Sequence, residues 1–251
     1  MIYNVFVKKK KIFLKAILIV VTILVVGYVL FQVSKSRSFQ FFGEIIPKVH
    51  TTEKVIALTF DDAPSKYSNE VVDILNAKGI KATFYAIGRN IEQYPEEAKY
   101  IVGNGNEIGN HSYSHQRFLL KSQSFIDSEV QKTNALIRST GYKGDITFRP
   151  PNGKKLFGLP WYLNQHGIKT ITWDVEPDTF LPPAGSEEEK TKYLIDYTVN
   201  NTKPGSIILL HPCCGSCGSD RKAIGQIIDK LQSMGYKFVT VSELLKYDGM
   251  K

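Results

Sequence analysis

The sequence predicts an α/β protein with a wound, parallel sheet of about seven strands, preceded by one membrane-crossing helix. Short apolar runs of strand length alternate with segments of helical spacing from Val55 onward, and one uncharged apolar run lies near the N-terminus. The chain has 251 residues. About 200 of them follow the apolar run, which is enough for one domain with a full core. A composition of 43% hydrophobic and 22% charged residues excludes disordered and collagen-like chains.

The apolar run covers residues 16–33 and contains no charge, and four consecutive lysines, Lys8 to Lys11, precede it. By the positive-inside rule these lysines stay in the cytoplasm and the rest of the chain lies outside. We predict a cytoplasmic basic tail at 1–11 and an uncleaved, single-pass signal anchor at 12–33 in the cell membrane. A cleaved signal peptide is the alternative, but this run exceeds the usual apolar region of about 7–15 residues. A buried core helix would rarely be so continuous.

The net charge of +8 is concentrated at the N-terminus. Residues 1–50 hold eight Lys and Arg residues against the single acid Glu44, so the rest of the chain is nearly neutral. This distribution argues against nucleic-acid binding through a broad positive field. Residues 34–52 are predicted to form a polar stalk, and residues 53–251 the folded domain.

The alternating pattern gives definite element boundaries. Predicted strands are 55–60, 82–88, 168–174, 206–211 and 236–241, with two more beginning at 108 and 146. Predicted helices are 69–79, 95–105, 122–139, 159–167, 186–201 and 220–234. Gly79 and Pro95 are expected at a helix end and a helix start, and Ser124 with Asp127 resembles a capping box. Wound parallel folds carry their chemistry at the C-terminal ends of strands, so polar residues there are the functional candidates.

Five predicted strands end in such residues. They are Asp61-Asp62; His111 with His115; the turn Arg149 to Gly153; Asp174, Glu176 and Asp178; and His211. Singly, each is ordinary, since paired acids often cap helices and a lone histidine is often a core residue. Together, two histidines and one carboxylate are the ligand set of a catalytic divalent metal, usually zinc. A second carboxylate as base and a further histidine as acid would suit hydrolysis of an amide or ester. A metal-dependent phosphoesterase would more often need a second metal.

These residues lie in motifs that resemble a known family. TFDDAP (59–64), HSYSH (111–115), RPPNG (149–153), WDVEPD (173–178) and LLH (209–211) are similar, in order, to the five motifs of the polysaccharide deacetylases, the NodB-homology enzymes of carbohydrate esterase family 4. The resemblance spans roughly 55–245. It implies a distorted (β/α) barrel of about seven strands that removes acetyl groups from sugar polymers.

The resemblance also implies a role for each matching residue. The metal ligands would be Asp62, His111 and His115. Asp61 would be the catalytic base, His211 the general acid and Arg149 the residue that holds the base. The main-chain N–H of Asn152 would bind the oxyanion. The remaining substrate contacts would come from Leu209, which lines the acetyl pocket, and from Pro151 and Trp173. Among the other aromatic residues, Tyr113, Trp161 and Phe180 are candidates for stacking on sugar rings.

The sequence departs from the family pattern at three places. Ala63 replaces a usual glycine, and its Cβ restricts positive φ. In the fourth motif, Thr179 and Phe180 replace an Asp-Trp pair, so Asp174, Glu176 or Asp178 could support Arg149, and Glu176 is preferred. The cysteines, Cys213, Cys214 and Cys217, follow His211 directly. They could form a loop without function, a Cys214–Cys217 disulfide, or a redox or metal site.

The sequence therefore predicts a metal-dependent, outward-facing deacetylase of a cell-envelope polysaccharide, with zinc expected and cobalt or another divalent ion as the alternative. N-acetylglucosamine of peptidoglycan is the preferred substrate. An exopolysaccharide, a chitin-like oligomer and O-acetylated xylan are the alternatives within the family. An inactive glycan-binding relative is the non-enzymatic alternative.

Overall fold

The computed structural model describes residues 2–178 and 185–250. In chain order the helices are α1 (Ile2–Ser34), α2 (Ser68–Ala77), α3 (Gly88–Gln93), α4 (Pro95–Gly103), α5 (Gln123–Ser139), α6 (Gly158–Gln165), α7 (Glu187–Asn201), α8 (Gly218–Ser233) and α9 (Val241–Leu244). The strands are β1 (Ile45–Ile46), β2 (Val55–Ala63), β3 (Thr83–Ala86), β4 (Glu107–Asn110), β5 (Thr170–Ile171), β6 (Ile207–Leu210) and β7 (Lys237–Val239). Short 3-10 helices cover Pro151–Gly153 and Leu245–Tyr247.

Strand β2 is the centre of the sheet. The main sheet has the order β4-β3-β2-β6, and β7 pairs with the first residues of β2, while β1 pairs with β5. Each of these strand pairings is parallel. Single parallel bridges link Phe148 to both Asn110 and Thr170, and Val175 to Ile208. The predicted α/β class with parallel strands is confirmed, and closure of the strands into a barrel stays a prediction.

The two faces of β2 pack into different cores. Ile56, Leu58 and Phe60 are fully buried and lie in an apolar cluster with residues of α2 and α8. The alternate residues Val55 and Ala57 belong to a second cluster on the opposite face. Burial of both faces is typical of a parallel strand and explains why its sequence is a continuous apolar run. Side chains alternate along a strand, so Asp61 is directed to the second face.

Most predicted elements are present with boundaries shifted by a few residues. Gly79 follows α2 with φ +66°, and Pro95 begins α4, as expected. The N-cap of α5 is Ser122, whose hydroxyl accepts from Phe125 N, so the capping box expected at Ser124 was wrong. The strand expected from residue 146 is reduced to the single bridges of Phe148. The short elements α3, α9 and β1 were not predicted because too few residues carry their periodicity.

The N-terminal helix is apolar where the sequence indicates. Its segment Phe13–Ser34 has 22 residues and a mean hydropathy of 2.7, and the 18-residue window that defines it is not buried against the domain. This length is sufficient to cross a bilayer. An apolar N-terminal helix is therefore present, and its position in a membrane stays a prediction.

Residues 34–52, predicted as a polar stalk, contact the domain in the structure. The carbonyl of Ser34 accepts from Lys155 N at 2.9 Å, and Thr172 Oγ1 donates to the carbonyl of Arg37 at 2.6 Å. Further along, β1 pairs with β5, and Val49 is 2% exposed with its N–H donating to the carbonyl of Gly205. Backbone carbonyls and one two-residue strand make these contacts, and such contacts leave no side-chain pattern in a sequence.

The contact between Val49 and Gly205 gives a test of this docking. A Cβ on Gly205, where φ is +79°, would lie 1.9 Å from the carbonyl oxygen of Val49. We expect Gly205→Ala to lower the free energy of unfolding by about 3 kcal/mol, because a left-handed backbone and a backbone clash act together. Urea unfolding of the full chain in detergent measures the change.

Gly167→Ala is the matched control. Its φ is +63°, but a Cβ there meets no atom within 4 Å. Only the cost of the left-handed conformation remains, about 1 kcal/mol. Equal losses in the two variants would show that residues 48–52 do not pack on the domain.

Candidate active site

The end of β2 presents two adjacent carboxylates in different environments. Asp61 is 2% exposed, whereas Asp62 is partly exposed and adopts φ +65°. Asn90 Nδ2 donates to the carbonyl of Asp62 at 3.0 Å and holds this turn. The positive φ falls on Asp62 and not on Ala63, so the Cβ of Ala63 is accommodated without left-handed strain.

The two histidines follow β4 in a loop and not in a helical turn. Ser112 and His115 both have positive φ, and the Ser112 hydroxyl accepts from His115 N at 3.0 Å. His111 Nδ1 lies 2.7 Å from the carbonyl of Arg149. A carbonyl only accepts, so Nδ1 carries the proton and Nε2 keeps a free lone pair. Burial, reinforced by the nearby His111, lowers the pKa of His115 and favours the neutral ring that a metal ligand requires.

The free nitrogens of both histidines lie near Asp62, and His111 Nε2 also lies 3.5 Å from Asp61 Oδ2. Asp62 Oδ1 lies 3.3 Å from His115 Nε2 and 3.8 Å from His111 Nε2. One ligand atom from each of the three residues lies within 4.8 Å of the others. Asp62 Oδ1 is also buried without a hydrogen-bond partner among the residues that the structure describes. Since a buried carboxylate oxygen normally has a partner, this set fits a divalent metal ion.

Arg149 holds the other carboxylate. Its buried Nη1 donates to Asp61 Oδ1 and to Thr59 Oγ1, both at 2.8 Å, and its Nη2 donates to the carbonyl of Thr172 at 3.0 Å. Burial acts to raise the pKa of Asp61, but the charge of Arg149 and the nearby rings of His111 and His211 outweigh it and lower the pKa below the ordinary value. Asp61 is therefore ionised and held in a fixed orientation.

His211 follows β6 and faces this carboxylate. Its Nδ1 lies 2.5 Å from Asp178 Oδ2. Burial acts against a charged ring, but the Asp178 hydrogen bond and the charges of Asp61, Asp178 and Asp62 outweigh it and raise the pKa of His211 to about 9. The ring is thus protonated at neutral pH. Its backbone N–H also donates to Asp220 Oδ1 at 3.3 Å.

The acids of the fourth motif do not have the partners that the sequence analysis preferred, in which Glu176 supports Arg149. Glu176 does not support Arg149; it forms an ion pair with Arg37 at 3.4 Å. Asp174 accepts from Ser206 Oγ and Ile207 N, which fixes the start of β6. Asp178 pairs with His211, so the three acids have three separate partners. Side chains do not alternate regularly along an irregular loop, so the sequence could not show which acid has which partner. Thr179 and Phe180 lie outside the described residues.

The predicted metal ligands, the predicted base Asp61 and the predicted acid His211 line one cleft with a volume of about 380 Å³. Its lining residues are Lys35, Arg37, Asp61, Asp62, His111, His115, Asn152, Gly153, Lys154, Trp173, Glu176, Leu209 and His211. Asn152 has φ +53°, and Pro151 is buried beneath it. Tyr113 and Trp161 do not line the cleft, and the Tyr113 hydroxyl is bound to Glu92 instead.

The sequence did not identify several residues of this site. Thr59 and Thr172 hold Arg149, and Asn90 holds Asp62, through ordinary polar groups without a motif. Lys35 and Arg37 were assigned to the stalk. The only available signal for them was their position directly after the apolar run.

The cysteines after His211 form the pair that one alternative predicted. Cys214 and Cys217 are joined in a disulfide, and Cys213 is a free, buried thiol. Cys213 Sγ lies 3.7 Å from Ser68 Oγ, and burial raises its pKa to about 12. A thiol with such a pKa stays protonated at neutral pH and is a poor nucleophile or metal ligand.

The His211–Asp178 pair predicts a defined titration. Because the folded-state pKa of His211 is raised from 6.5 to about 9, the pair stabilises the fold fully below about pH 6.5, and this contribution is lost as pH rises through about 9.

In Asp178→Asn we expect the pKa of His211 to fall, because the substitution removes the negative charge of Asp178 and weakens its hydrogen bond to the ring. An NMR titration of the His211 ring in the metal-free chain measures it. Asp229→Asn, on the exposed part of α8, is the control, and equal pKa values in both variants would contradict the assignment.

Comparison with known proteins agrees with this geometry. A family model described as polysaccharide deacetylase matches residues 48–171. The peptidoglycan-N-acetylglucosamine deacetylase of Bacillus cereus is 31% identical over 210 residues, which are 82% of this chain and 94% of that protein. The peptidoglycan-N-acetylmuramic acid deacetylase PdaC of Bacillus subtilis is 33% identical over 205 residues, which are 79% of this chain and 41% of that protein.

The same family is found among solved structures. A crystal structure of a peptidoglycan N-acetylglucosamine deacetylase superimposes with a TM-score of 0.73 at 25% identity, covering 81% of this chain and 94% of its own. Fold and overall sequence similarity therefore agree. The chain belongs to the polysaccharide deacetylase family, a family of hydrolases that act on amide bonds of carbohydrates.

Proposed function

We propose that this protein removes N-acetyl groups from a cell-envelope polysaccharide by metal-dependent hydrolysis, with N-acetylglucosamine of peptidoglycan as its substrate. One observation carries the proposal: adjacent carboxylates have different partners. Asp61 Oδ1 accepts from Arg149, while Asp62 Oδ1 has no hydrogen-bond partner among the described residues and lies 3.3 Å from His115 Nε2. His111 Nε2 lies between the two carboxylates, 3.5 Å from Asp61 and 3.8 Å from Asp62. Such a division suits one carboxylate for proton transfer and the other for binding a cation.

Asp62, His111 and His115 would hold the ion, with zinc expected. When bound, the ion lowers the pKa of water and polarises the acetyl carbonyl oxygen. The chain's own residues perform the other tasks. Asp61 accepts a proton from the attacking water, and Arg149 keeps that carboxylate ionised and oriented until then. The main-chain N–H of Asn152 donates to the oxygen that becomes negative.

His211 completes the reaction as a general acid. Its pKa of about 9 keeps the ring protonated at neutral pH, so it can give a proton to the leaving amine nitrogen as the carbon–nitrogen bond breaks. Asp178 positions this ring and stabilises its charge. Leu209 and Trp173 line the cleft and would contact the acetyl group and the sugar.

Substrate and location rest on relatives and on the apolar helix. The relatives named above act on N-acetylglucosamine or N-acetylmuramic acid of peptidoglycan. An outward-facing domain on a single-pass anchor would meet a polymer beside the membrane. Exopolysaccharide, chitin-like oligomers and acetylated xylan remain the alternatives. A non-enzymatic glycan-binding role is disfavoured because each catalytic-type position holds a residue of the required chemistry.

Substitution of Asp61 tests the division of labour. We expect Asp61→Asn in the full chain to reduce acetate release from N-acetylglucosamine oligomers by about 10²–10⁴-fold, because proton transfer is lost. Metal content by mass spectrometry stays at the wild-type level. His115→Ala, in contrast, loses the metal as well as the activity, and Asp229→Asn serves as the exposed-acid control.

Two results would contradict the proposal. Turnover that survives in Asp61→Asn would show that Asp61 is not the base. A wild-type chain loaded with zinc or cobalt that releases no acetate from any N-acetylated glycan would exclude the deacetylase. Mass spectrometry of treated peptidoglycan, which detects loss of acetyl groups from each sugar, identifies the modified residue.

A further inference from the structure

The segment that links α1 to the domain forms one wall of the catalytic cleft. Lys35 and Arg37 line the cleft together with Asp61, Asp62 and His211. These two cations come from the sequence directly after the apolar helix, about 25 residues before the first catalytic motif. The cleft is therefore incomplete without residues that belong to no family motif.

Three contacts fix this wall to the loops that carry functional residues. Ser34 O accepts from Lys155 N, and Ser36 O accepts from Lys155 Nζ. Lys155 follows the short helix that holds Asn152. Thr172 Oγ1 donates to Arg37 O, and the carbonyl of Thr172 accepts from Arg149 Nη2. Displacement of the wall would thus disturb both the Asn152 turn and the support of Arg149.

Three cations line the same rim of the cleft: Lys35 and Arg37 on the wall, and Lys154 on the loop after Asn152. Asp61 is matched by Arg149, and Glu176 by Arg37. Lys35 and Lys154 have no carboxylate within 4 Å among residues 2–178 and 185–250, and both lie against the ring of Phe31. Burial lowers the pKa of Lys154, and the positive charges of Lys35 and Arg117 lower it further. Like charges thus lie close together at this rim, and an anion would relieve their repulsion.

Building on the proposed function, we propose that Lys35, Arg37 and Lys154 bind an anionic group on a sugar next to the one being deacetylated. The group has the chemistry of a carboxylate, such as the lactyl carboxylate of an N-acetylmuramic acid residue that carries no peptide. Arg37 Nη1 is paired with Glu176, and the other donors of its planar guanidinium match the geometry of a second carboxylate. The arrangement makes the membrane-proximal segment a specificity element of the enzyme.

Two oligosaccharides of equal length provide the test. One is the neutral N-acetylglucosamine oligomer, and the other alternates N-acetylglucosamine with N-acetylmuramic acid. The full chain is assayed in nanodiscs of zwitterionic lipid, so that no anionic lipid competes. Partly exposed ion pairs contribute at most about 1 kcal/mol each, so the double variant K35Q/R37Q is used.

We expect the double variant to raise KM for the anionic oligomer by about tenfold, equivalent to about 1.4 kcal/mol, with kcat little changed. KM for the neutral oligomer stays within about twofold, since it makes no ion pair with this rim. Lys99→Gln is the control, because Lys99 also pairs with an acid but lies on α4, away from the cleft. Raised salt should weaken binding of the anionic oligomer to wild type more than to the double variant, which keeps only Lys154 of the three cations.

Other outcomes overturn the inference. An equal rise of KM for both oligomers would mean that the wall acts only as a structural support. An effect seen only when anionic lipid is present would assign the cations to the membrane surface. If the wild type deacetylates neither oligomer, the proposed function fails, and calorimetric binding of the anionic oligomer to wild type and double variant decides the inference separately. Equal affinities would then refute it.

Discussion

The buried contact between Asp61 and Arg149 is the constraint on which the rest of the site depends. An isolated charge at a buried position costs several kcal/mol, so each of these residues requires the other. The guanidinium of Arg149 donates to Thr59 on β2 and to the carbonyl of Thr172 next to β5. The backbone carbonyl of Arg149 orients His111. Arg149 therefore fixes Asp61, one imidazole and the spacing between strands, so the arrangement of the site depends on the packing that encloses it.

Backbone strain is concentrated around the same cleft. Among the described residues other than glycine, Asp62, Ser112, His115, Leu120 and Asn152 have positive φ, and all but Leu120 lie in the motifs of the site. Such conformations cost about 1–3 kcal/mol each and persist only where the surroundings enforce them. Here they turn Asp62 and His115 towards each other and expose the main chain at Asn152. The parallel core supplies the rigidity that keeps these turns in place.

Sequence reasoning predicted the parts of this molecule that repeat or obey a motif. The apolar strand β2, the helix ends at Gly79 and Pro95, and the ordered carboxylates and histidines all carry local signals, and the structure brings Asp62, His111 and His115 together. Glu176 was assigned wrongly because position within a motif does not reveal which partner an irregular loop selects. The docking of residues 34–52 was missed for a different reason: carbonyl oxygens make most of its contacts, and every residue has one.

The docked connection between α1 and the domain has a mechanical consequence. A flexible tether of some twenty residues would let a domain sweep a hemisphere of several tens of ångströms. Here Ser34 is already bound to Lys155 at the last turn of the helix, so there is almost no slack. If α1 crosses a bilayer, the mouth of the cleft keeps a constant height and tilt above the lipid, and only molecules in a thin layer next to the membrane can enter it.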